Sequence, residues 1–411
     1  MQRVAFVSYG CKVNRAELDT LIANLPRYGA IYEYKPEEAD IVIVNTCAVT
    51  ERAQNECRRG LTQLRKSNAS GKIVATGCMA ELLKTDNDAD INADIIVLNN
   101  DKERILERML GRKSGGIPAV LPIRTKTRAF LKIQDGCSCA CSYCIIPSLR
   151  GASRSKSANE TIDELRTLLK SGYKEIVLTG IHIGLYGADL PSEDNLCSLL
   201  RQIIALEGDF RVRLTSMHVN EITDELVDVM ASSAGKLAPH VHISLQSGSN
   251  EVLMAMNRKY TTEEALHAVH ELRAGVSDVC IGLDIITGFP SETDRLFNET
   301  KELLAEIKPE YMHIFPFSAR PGTTAADMAG QVPQTVRLER ASMLRELAKK
   351  YKDDANKRQA GKLVRVLSEG GGKGHTDNFF LVQLPQETEK NLFIEGILRY
   401  DNDNERLYLD V

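Results

Sequence analysis

What most constrains this 411-residue chain is a pattern that recurs along it: short, largely apolar runs separated by helical stretches. RVAFVSYG, IVIVNT, KIVATG and DIIVLN fall in the first hundred residues, with helical patterns near Asn14–Tyr28, Glu51–Lys66 and Lys102–Leu110. Apolar runs without alternation read as strands buried on both faces, and so as a parallel sheet with helices on each side. A second series follows at FLKIQ (130–134), EIVLTG (175–180), RVRLTS (211–216), HVHISLQ (240–246), CIGLDIITG (280–288) and YMHIFPF (311–317), again with helical patterns between. Six strand–helix units predict an open or partial barrel. Val336–Arg358 reads as a charged amphipathic helix, and LVRVLSE, FFLVQLP, LFIEGILRY and RLYLDV as a small all-β unit. The expected fold is therefore α/β: a doubly wound domain at 1–112, a partial barrel at 124–356 and a small β domain at 359–411, with a Gly- and Lys-rich linker at about 112–128.

The chain carries ten cysteines against 43% hydrophobic and 26% charged residues and a formal charge of −4. No apolar run reaches the roughly 18 residues that span a bilayer. MQRVAFVSYG has neither a charged leader nor a cleavage site, so a cytoplasmic location without membrane contact is expected. Thiols in that reducing setting are candidates for metal ligands rather than disulfides. Cys11, Cys47 and Cys78 each sit just past the carboxyl end of a strand, in SYGC, NTC and TGC. That edge is where open α/β sheets bind ligands, so three distant loops can converge on one spot. Cys137, Cys141 and Cys144, in DGCSCACSYCIIP, follow a strand directly. Three thiolates on one loop can hold three irons of a 4Fe–4S cluster and leave the fourth iron open. The competing reading, a structural zinc knuckle, needs paired cysteines and a fourth ligand, and Cys139 is poorly spaced to serve. Cys57, Cys139, Cys197 and Cys280 read as buried thiols that behave as small hydrophobes.

The Cys137/Cys141/Cys144 loop resembles the signature of radical S-adenosylmethionine enzymes. The chain as a whole is similar to the methylthiotransferases, through YGCKVNRAE, NTCAVTERA, GCMAE, DGCSCACSYCIIPSLRG, LTGIHIG, LQSGSNEVLMAMNRKY, DIITGFPSET and FPFSARPGT. The resemblance implies two 4Fe–4S clusters. One, on Cys137/Cys141/Cys144, would reductively cleave S-adenosylmethionine to a 5′-deoxyadenosyl radical. The other, on Cys11/Cys47/Cys78, would carry the sulfur that becomes the methylthio group. Strand ends at Thr179, Gly180, Ser244, Gln246, Asp284 and Gly288 are expected to orient the cofactor, the glycines by allowing close backbone approach. Arg150 and Arg154 are expected to meet a substrate carboxylate or phosphate. Three departures from the family pattern stand out: Ser216-Met217-His218-Val219 on the third strand, Ser244 where proline is usual, and His182 where asparagine is frequent. His182, His218 and His242 are read as structural.

The tail, with GHTDNFFLV, resembles the RNA-binding TRAM domain, which makes Phe379 and Phe380 candidate RNA contacts. Phosphate neutralisation would come from Arg337, Arg340, Arg345, Lys349, Lys350, Lys352, Lys357 and Arg358, and from Arg124, Lys126, Arg128 and Lys132. GCKVN and FPFSARPGT resemble the branch that modifies threonylcarbamoyladenosine in transfer RNA. The other branches act on isopentenyladenosine or on an aspartate of a ribosomal protein. The implied partners are tRNA, an electron donor such as flavodoxin or ferredoxin, and a sulfur donor. The rival from a different class is an RNA-binding module with purely structural clusters; it predicts no 5′-deoxyadenosine.

Overall fold

The first four apolar runs fold side by side, and a short edge strand joins them. In the computed structural model, which describes residues 1–83, 91–111, 127–191 and 194–410, they form a parallel sheet of β1 (Gln2–Ser8), β2 (Ala30–Tyr32), β3 (Ile41–Thr46), β4 (Lys72–Gly77) and β5 (Ile95–Ile96), in the order β2-β1-β3-β4-β5. The runs lack alternation because both faces are covered. Val4, Phe6, Ile41, Ile43 and Val74 pack with Leu18, Leu21 and Ile22 of the helix Lys12–Asn24 and with Ile105 and Leu106. Ala5, Val42, Val44, Ile73 and Ala75 pack on the other side with Leu61 and Met79. β2 escaped the sequence reading because it is a three-residue edge strand with one exposed residue. DIIVLN shrinks to the two-residue β5.

The second series gives six parallel strands: β6 (Arg128–Lys132), then, beyond the short antiparallel pair β7 (Gln134–Asp135) and β8 (Arg154–Ser155), β9 (Glu175–Thr179), β10 (Arg211–Leu214), β11 (His240–Gln246), β12 (Cys280–Thr287) and β13 (Tyr311–Pro316). β6, β9 and β10 pair in one half-sheet and β11, β12 and β13 in the other. The bridges Val212↔Leu237 and Met217↔Ile243 join the halves. Each strand follows its chain neighbour, and β6 and β13 leave the barrel open between them. Outward residues such as Leu131, Ile176, Val212, Ile243 and Leu283 form the core with the surrounding helices. By alternation, Arg128, Lys132, Glu175, Thr179, Arg213, His242, Ser244, Asp284 and His313 face the lumen. The helix Gln334–Gln359 lies against β12 and β13.

The tail is a closed five-stranded barrel of β14 (Leu363–Ser368), β15 (Lys373–Thr376), β16 (Leu381–Gln383), β17 (Phe393–Asp401) and β18 (Arg406–Asp410). It plugs the amino-terminal end of the six-stranded barrel. Arg211 meets Asp377 at 2.5 Å and donates to the His375 carbonyl at 3.1 Å, and Arg365 meets Asp209 at 2.9 Å. The expected linker at about 112–128, with Arg124 and Lys126, lies almost wholly outside the described residues.

Candidate active site

Three thiols come from the carboxyl ends of three adjacent strands. β1, β3 and β4 lie in register, with Ser8 opposite Asn45 and Asn45 opposite Thr76, and Cys11, Cys47 and Cys78 follow within three residues of that row. Neighbouring strands sit about 4.8 Å apart, so the turns converge. Gly10 (φ +85°) makes the approach feasible, because a Cβ there would fall 2.5 Å from Cys47 Cβ and 2.6 Å from its Sγ. Asn14 ties the turns together: its Nδ2 donates to the carbonyls of Tyr9 (2.8 Å) and Thr46 (3.0 Å). Asn45 Nδ2 donates to Asn14 O (3.0 Å) and Glu17 Oε2 (2.9 Å). The Cys47 amide donates to Cys57 Sγ at 3.2 Å, so Cys57 buttresses the turn. Burial pushes the Cys47 thiol up to about 12 and also raises Cys78, where Arg150 and Lys102 act against it.

The second triad, Cys137, Cys141 and Cys144, sits above the strand ends on a loop bracketed by β7 and β8 and lines a cavity of about 540 Å³ with Ser148, Gly151 and Thr323. Arg258 reaches it from the segment after β11. Its Nη1 donates to Cys141 Sγ (3.4 Å), its Nε to Tyr260 Oη (2.8 Å) and its Nη2 to the Ser244 carbonyl (2.5 Å). His182 Nδ1 lies 3.6 Å from Cys137 Sγ and 3.5 Å from Cys139 Sγ, and its Nε2 bonds Glu221. The His218 ring lies against His182, tilted by 39° with centroids 4.0 Å apart, and its Nε2 is 2.9 Å from Arg258. Hydrogen bonding from Cys139, then from His182, holds the Cys137 thiol down near 4, while burial drives Cys144 up to about 11. Each donor set has three thiols and a nearby cation, the composition that suits an iron–sulfur cluster with one open iron.

Both triads border one apolar cluster. Ile145, Ile146 and Leu149, just past Cys144, pack with Cys47, Cys78 and Met79, and Cys137 and Cys144 lie against them. Beside it Arg150 is buried. Its guanidinium donates to Glu17 Oε1 (2.9 Å), Asp135 Oδ1 (2.9 Å) and Asn14 Oδ1 (2.6 Å), and Glu17 also takes Lys102 (2.7 Å) and Lys132 (3.2 Å). Burial alone would raise Glu17; Arg150, Lys102 and Lys132 instead hold it far below the carboxylate range. This hub clamps the amino-terminal domain onto the barrel.

The structure corrects several residue expectations. The carboxylates that Arg150 meets belong to the protein, so it is not open to substrate. Arg154 is exposed, on the rim of a groove of about 840 Å³ between the two domains. Phe380 belongs to the core of the tail barrel, and Phe379 lies under Arg213 (4.8 Å) and against His240 (4.7 Å), so neither ring is presented to RNA. Arg340 is buried against Glu292 and Asp294 rather than facing phosphate, and Arg128 pairs with Glu175 and Glu369. Among the strand-end residues, Ser244 Oγ donates to Asp284 (3.3 Å), whose carboxylate also meets His242 (2.8 Å) and His313 (3.3 Å). Gly180 abuts Gln134, buried Thr179 ends β9, Gln246 holds φ +72°, and Gly288 abuts the Arg337 side chain. His182 and His218, read as structural, stand at the cysteine loop. Glu221, Arg258 and Tyr260 were not singled out at all, although Arg258 and Tyr260 lie within the quoted MNRKY run.

Lys12 is the remaining surprise. It is solvent-exposed, yet protein surrounds its amine. Burial lowers its pKa, Arg213 and Arg128 lower it further, and Asp284 and Glu175 oppose them. The helix that Lys12 opens packs against β6 and β9, and those four groups sit on β10, β6, β12 and β9, so the amine faces the open end of the lumen.

Comparison with known proteins gives the class of enzyme. Residues 131–304 match the Radical SAM superfamily, which defines the class of enzyme. Residues 3–99 match Uncharacterized protein family UPF0004. A Thermotoga maritima protein named threonylcarbamoyladenosine tRNA methylthiotransferase MtaB is 37% identical over 90% of this chain and 87% of its own. A Carboxydothermus hydrogenoformans protein named tRNA-2-methylthio-N(6)-dimethylallyladenosine synthase is 32% identical over 89% of this chain and 88% of its own. In fold, the chain is similar to the radical S-adenosylmethionine methyltransferase TsrM from Kitasatospora setae, solved with cobalamin and a 4Fe–4S cluster (TM-score 0.58, 16% identity, 79% of this chain and 77% of that one). The chain belongs to the radical S-adenosylmethionine methylthiotransferase family. No helix among the described residues is long and apolar enough to cross a membrane.

Proposed function

We propose that this enzyme transfers a methylthio group to carbon 2 of threonylcarbamoyladenosine beside the anticodon of tRNA. The observation that carries the reading is the placement of two three-cysteine sets on either side of one apolar cluster, each at the carboxyl end of a parallel sheet. When bound there, two 4Fe–4S clusters supply the electron that cleaves S-adenosylmethionine and the sulfur that is transferred. The chain's own residues position and shield. The Glu17–Arg150 hub fixes the distance between the sets, and Ile145, Ile146 and Leu149 keep water from the space between them. Arg258 and His182 hold the thiols of the core set, and Gly10 and Asn14 shape the other. Thr179, Gly180, Ser244, Gln246, Asp284 and Gly288 remain the proposed strand-end supports for S-adenosylmethionine. Carbon 2 of adenine has no proton that a side-chain base of ordinary pKa removes, which is why radical abstraction suits it. Exposed Arg154 and the surface cations of the helix Gln334–Gln359 are the proposed tRNA contacts. A low-potential electron donor such as flavodoxin or ferredoxin and a sulfur donor complete the reaction, in the cytoplasm.

The threonylcarbamoyl branch is supported by GCKVN at Gly10–Asn14 and by the similarity to the Thermotoga maritima protein of that name. Mass spectrometry of tRNA nucleosides from cells with and without the gene tests it. Loss of 2-methylthio-threonylcarbamoyladenosine, restored on complementation, is expected. Loss of the methylthio group from isopentenyladenosine instead moves the enzyme to the other tRNA branch. No change in either turns attention to a ribosomal protein. A reduced protein that yields no 5′-deoxyadenosine from S-adenosylmethionine refutes the enzyme reading.

A further inference from the structure

The lumen holds a cation whose possible partners are already taken. Lys12 makes no hydrogen bond or ion pair among the described residues. Asp284 is occupied by His242 Nε2 (2.8 Å), His313 Nδ1 (3.3 Å) and Ser244 Oγ (3.3 Å). Glu175, the other carboxylate that faces the amine, is shared by Arg128 (2.7 Å), Arg211 (2.5 Å) and Arg213 (3.0 Å). Arg213 bonds Glu175 only through Nε, and its two terminal nitrogens are buried without a partner. Arg128 and Arg211 are further balanced by Glu369 and Asp377, so the carboxylates near Lys12 are all engaged by other groups and its amine keeps a free valence toward whatever enters the barrel. A charge so placed, at the open end of the lumen, favours an anion and disfavours an apolar group.

We infer that Lys12 determines substrate specificity by pairing with a carboxylate on the group attached to the target adenine. This rests on the threonylcarbamoyl reading, in which that group ends in the threonyl carboxylate; an isopentenyl group offers only carbon. Lys12 is the first residue of the helix Lys12–Asn24, next to Cys11. It therefore approaches the lumen from the amino-terminal domain, on the side of the thiols proposed to carry the transferred sulfur. His313, half-exposed at the mouth beside Asp284, leaves its Nε2 free to face the same group.

The test uses the cluster-loaded enzyme and two synthetic anticodon stem-loops, with a third that carries isopentenyladenosine as the control. One RNA carries threonylcarbamoyladenosine; the other carries its threoninamide form, in which a neutral amide replaces the carboxylate. Dissociation constants and kcat/KM are measured for wild type, Lys12→Gln and Lys12→Arg. Wild type should prefer the acid by about 10- to 100-fold, the worth of one charge-assisted contact. Lys12→Gln should bring the ratio near one, and Lys12→Arg should keep most of it. Both RNAs meet the same preparation, so any change in cluster loading cancels in the ratio, and the binding ratio survives even where turnover is lost. Equal handling of acid and amide by wild type overturns the inference while leaving the substrate reading intact. So does a Lys12→Gln enzyme that keeps the preference, or one that loses S-adenosylmethionine affinity tenfold at an unchanged acid-to-amide ratio, since the ammonium would then serve the methionyl carboxylate. If wild type turns over an isopentenyladenosine stem-loop and neither of these two, the substrate reading itself falls, and this inference with it.

Discussion

Replacing Glu17 with glutamine should loosen the joint that sets the spacing of the two cysteine sets. The hub has three cations, Arg150, Lys102 and Lys132, against two anions, Glu17 and Asp135, for a net charge of +1. Glu17→Gln keeps the shape and takes the net to +2, with Arg150 and Lys102 both largely buried. Removing one partner of a buried ion pair costs about 3–5 kcal/mol, because the other charge is left uncompensated. For a unit of 150–250 residues each kcal/mol moves the midpoint roughly 2–4 °C, so a fall on the order of 6–20 °C is expected in differential scanning calorimetry. Glu17→Gln/Lys102→Met returns the net charge to +1 and should recover part of that loss, which a mere packing defect would not. Methylthio product should fall more steeply than 5′-deoxyadenosine formation, since the barrel's own cysteine loop is untouched. A midpoint unchanged in Glu17→Gln, or a double variant less stable than the single one, would refute the reasoning.

Gly10→Ala places a Cβ against Cys47 at a backbone φ of +85°, so iron content should fall by roughly half on reconstitution while cleavage of S-adenosylmethionine persists. Arg258→Met removes a charged donor from Cys141 Sγ; the reduction potential of the cluster at that loop should drop, on the order of 60 mV if the bond favours the reduced form by about 1.4 kcal/mol, as read by redox titration with electron paramagnetic resonance. Glu175 is buried, which by itself would raise its pKa, but Arg213, Arg211 and Arg128 depress it well below 4.5. A depressed carboxylate contributes stability above its unfolded pKa and loses it as the pH falls through the folded one. Acid unfolding of the wild type should therefore steepen below about pH 4.5, and the dependence should flatten in Glu175→Gln, as followed by circular dichroism.

The parts of this molecule that were legible in the sequence are those written in local pattern. All six barrel strands announced themselves because each is a short run rich in β-branched and aromatic residues with an apolar outward face, set between helical patterns, and the cysteine loop because its thiols lie within eight residues. The convergence of Cys11, Cys47 and Cys78 was legible only through topology, since the strand order β1-β3-β4 brings together what the chain spreads over 68 residues. Arg150 misled for a related reason. A guanidinium next to a cluster loop looks like a substrate contact, and nothing local shows that Glu17, 133 residues away, faces it. Phe379 and Phe380 misled because aromatic residues on a small β barrel read equally as a stacking platform or as a core.

His182 shows where residue-by-residue weighing fails. Alone on a strand end, a histidine is most often satisfied by its neighbours, and this one is: Glu221 holds its Nε2. The satisfied partner and the functional position are not alternatives, however. Glu221 fixes the ring so that Nδ1 points at Cys137 and Cys139, while His218 and Arg258 close the other side at Cys141. His218, on the segment Ser216-Met217-His218-Val219, meets His182 with ring centroids 4.0 Å apart and planes tilted by 39°. Two residues that look independent in the sequence are one pair in space, joined to the cysteine loop through Cys137, Cys139 and Arg258.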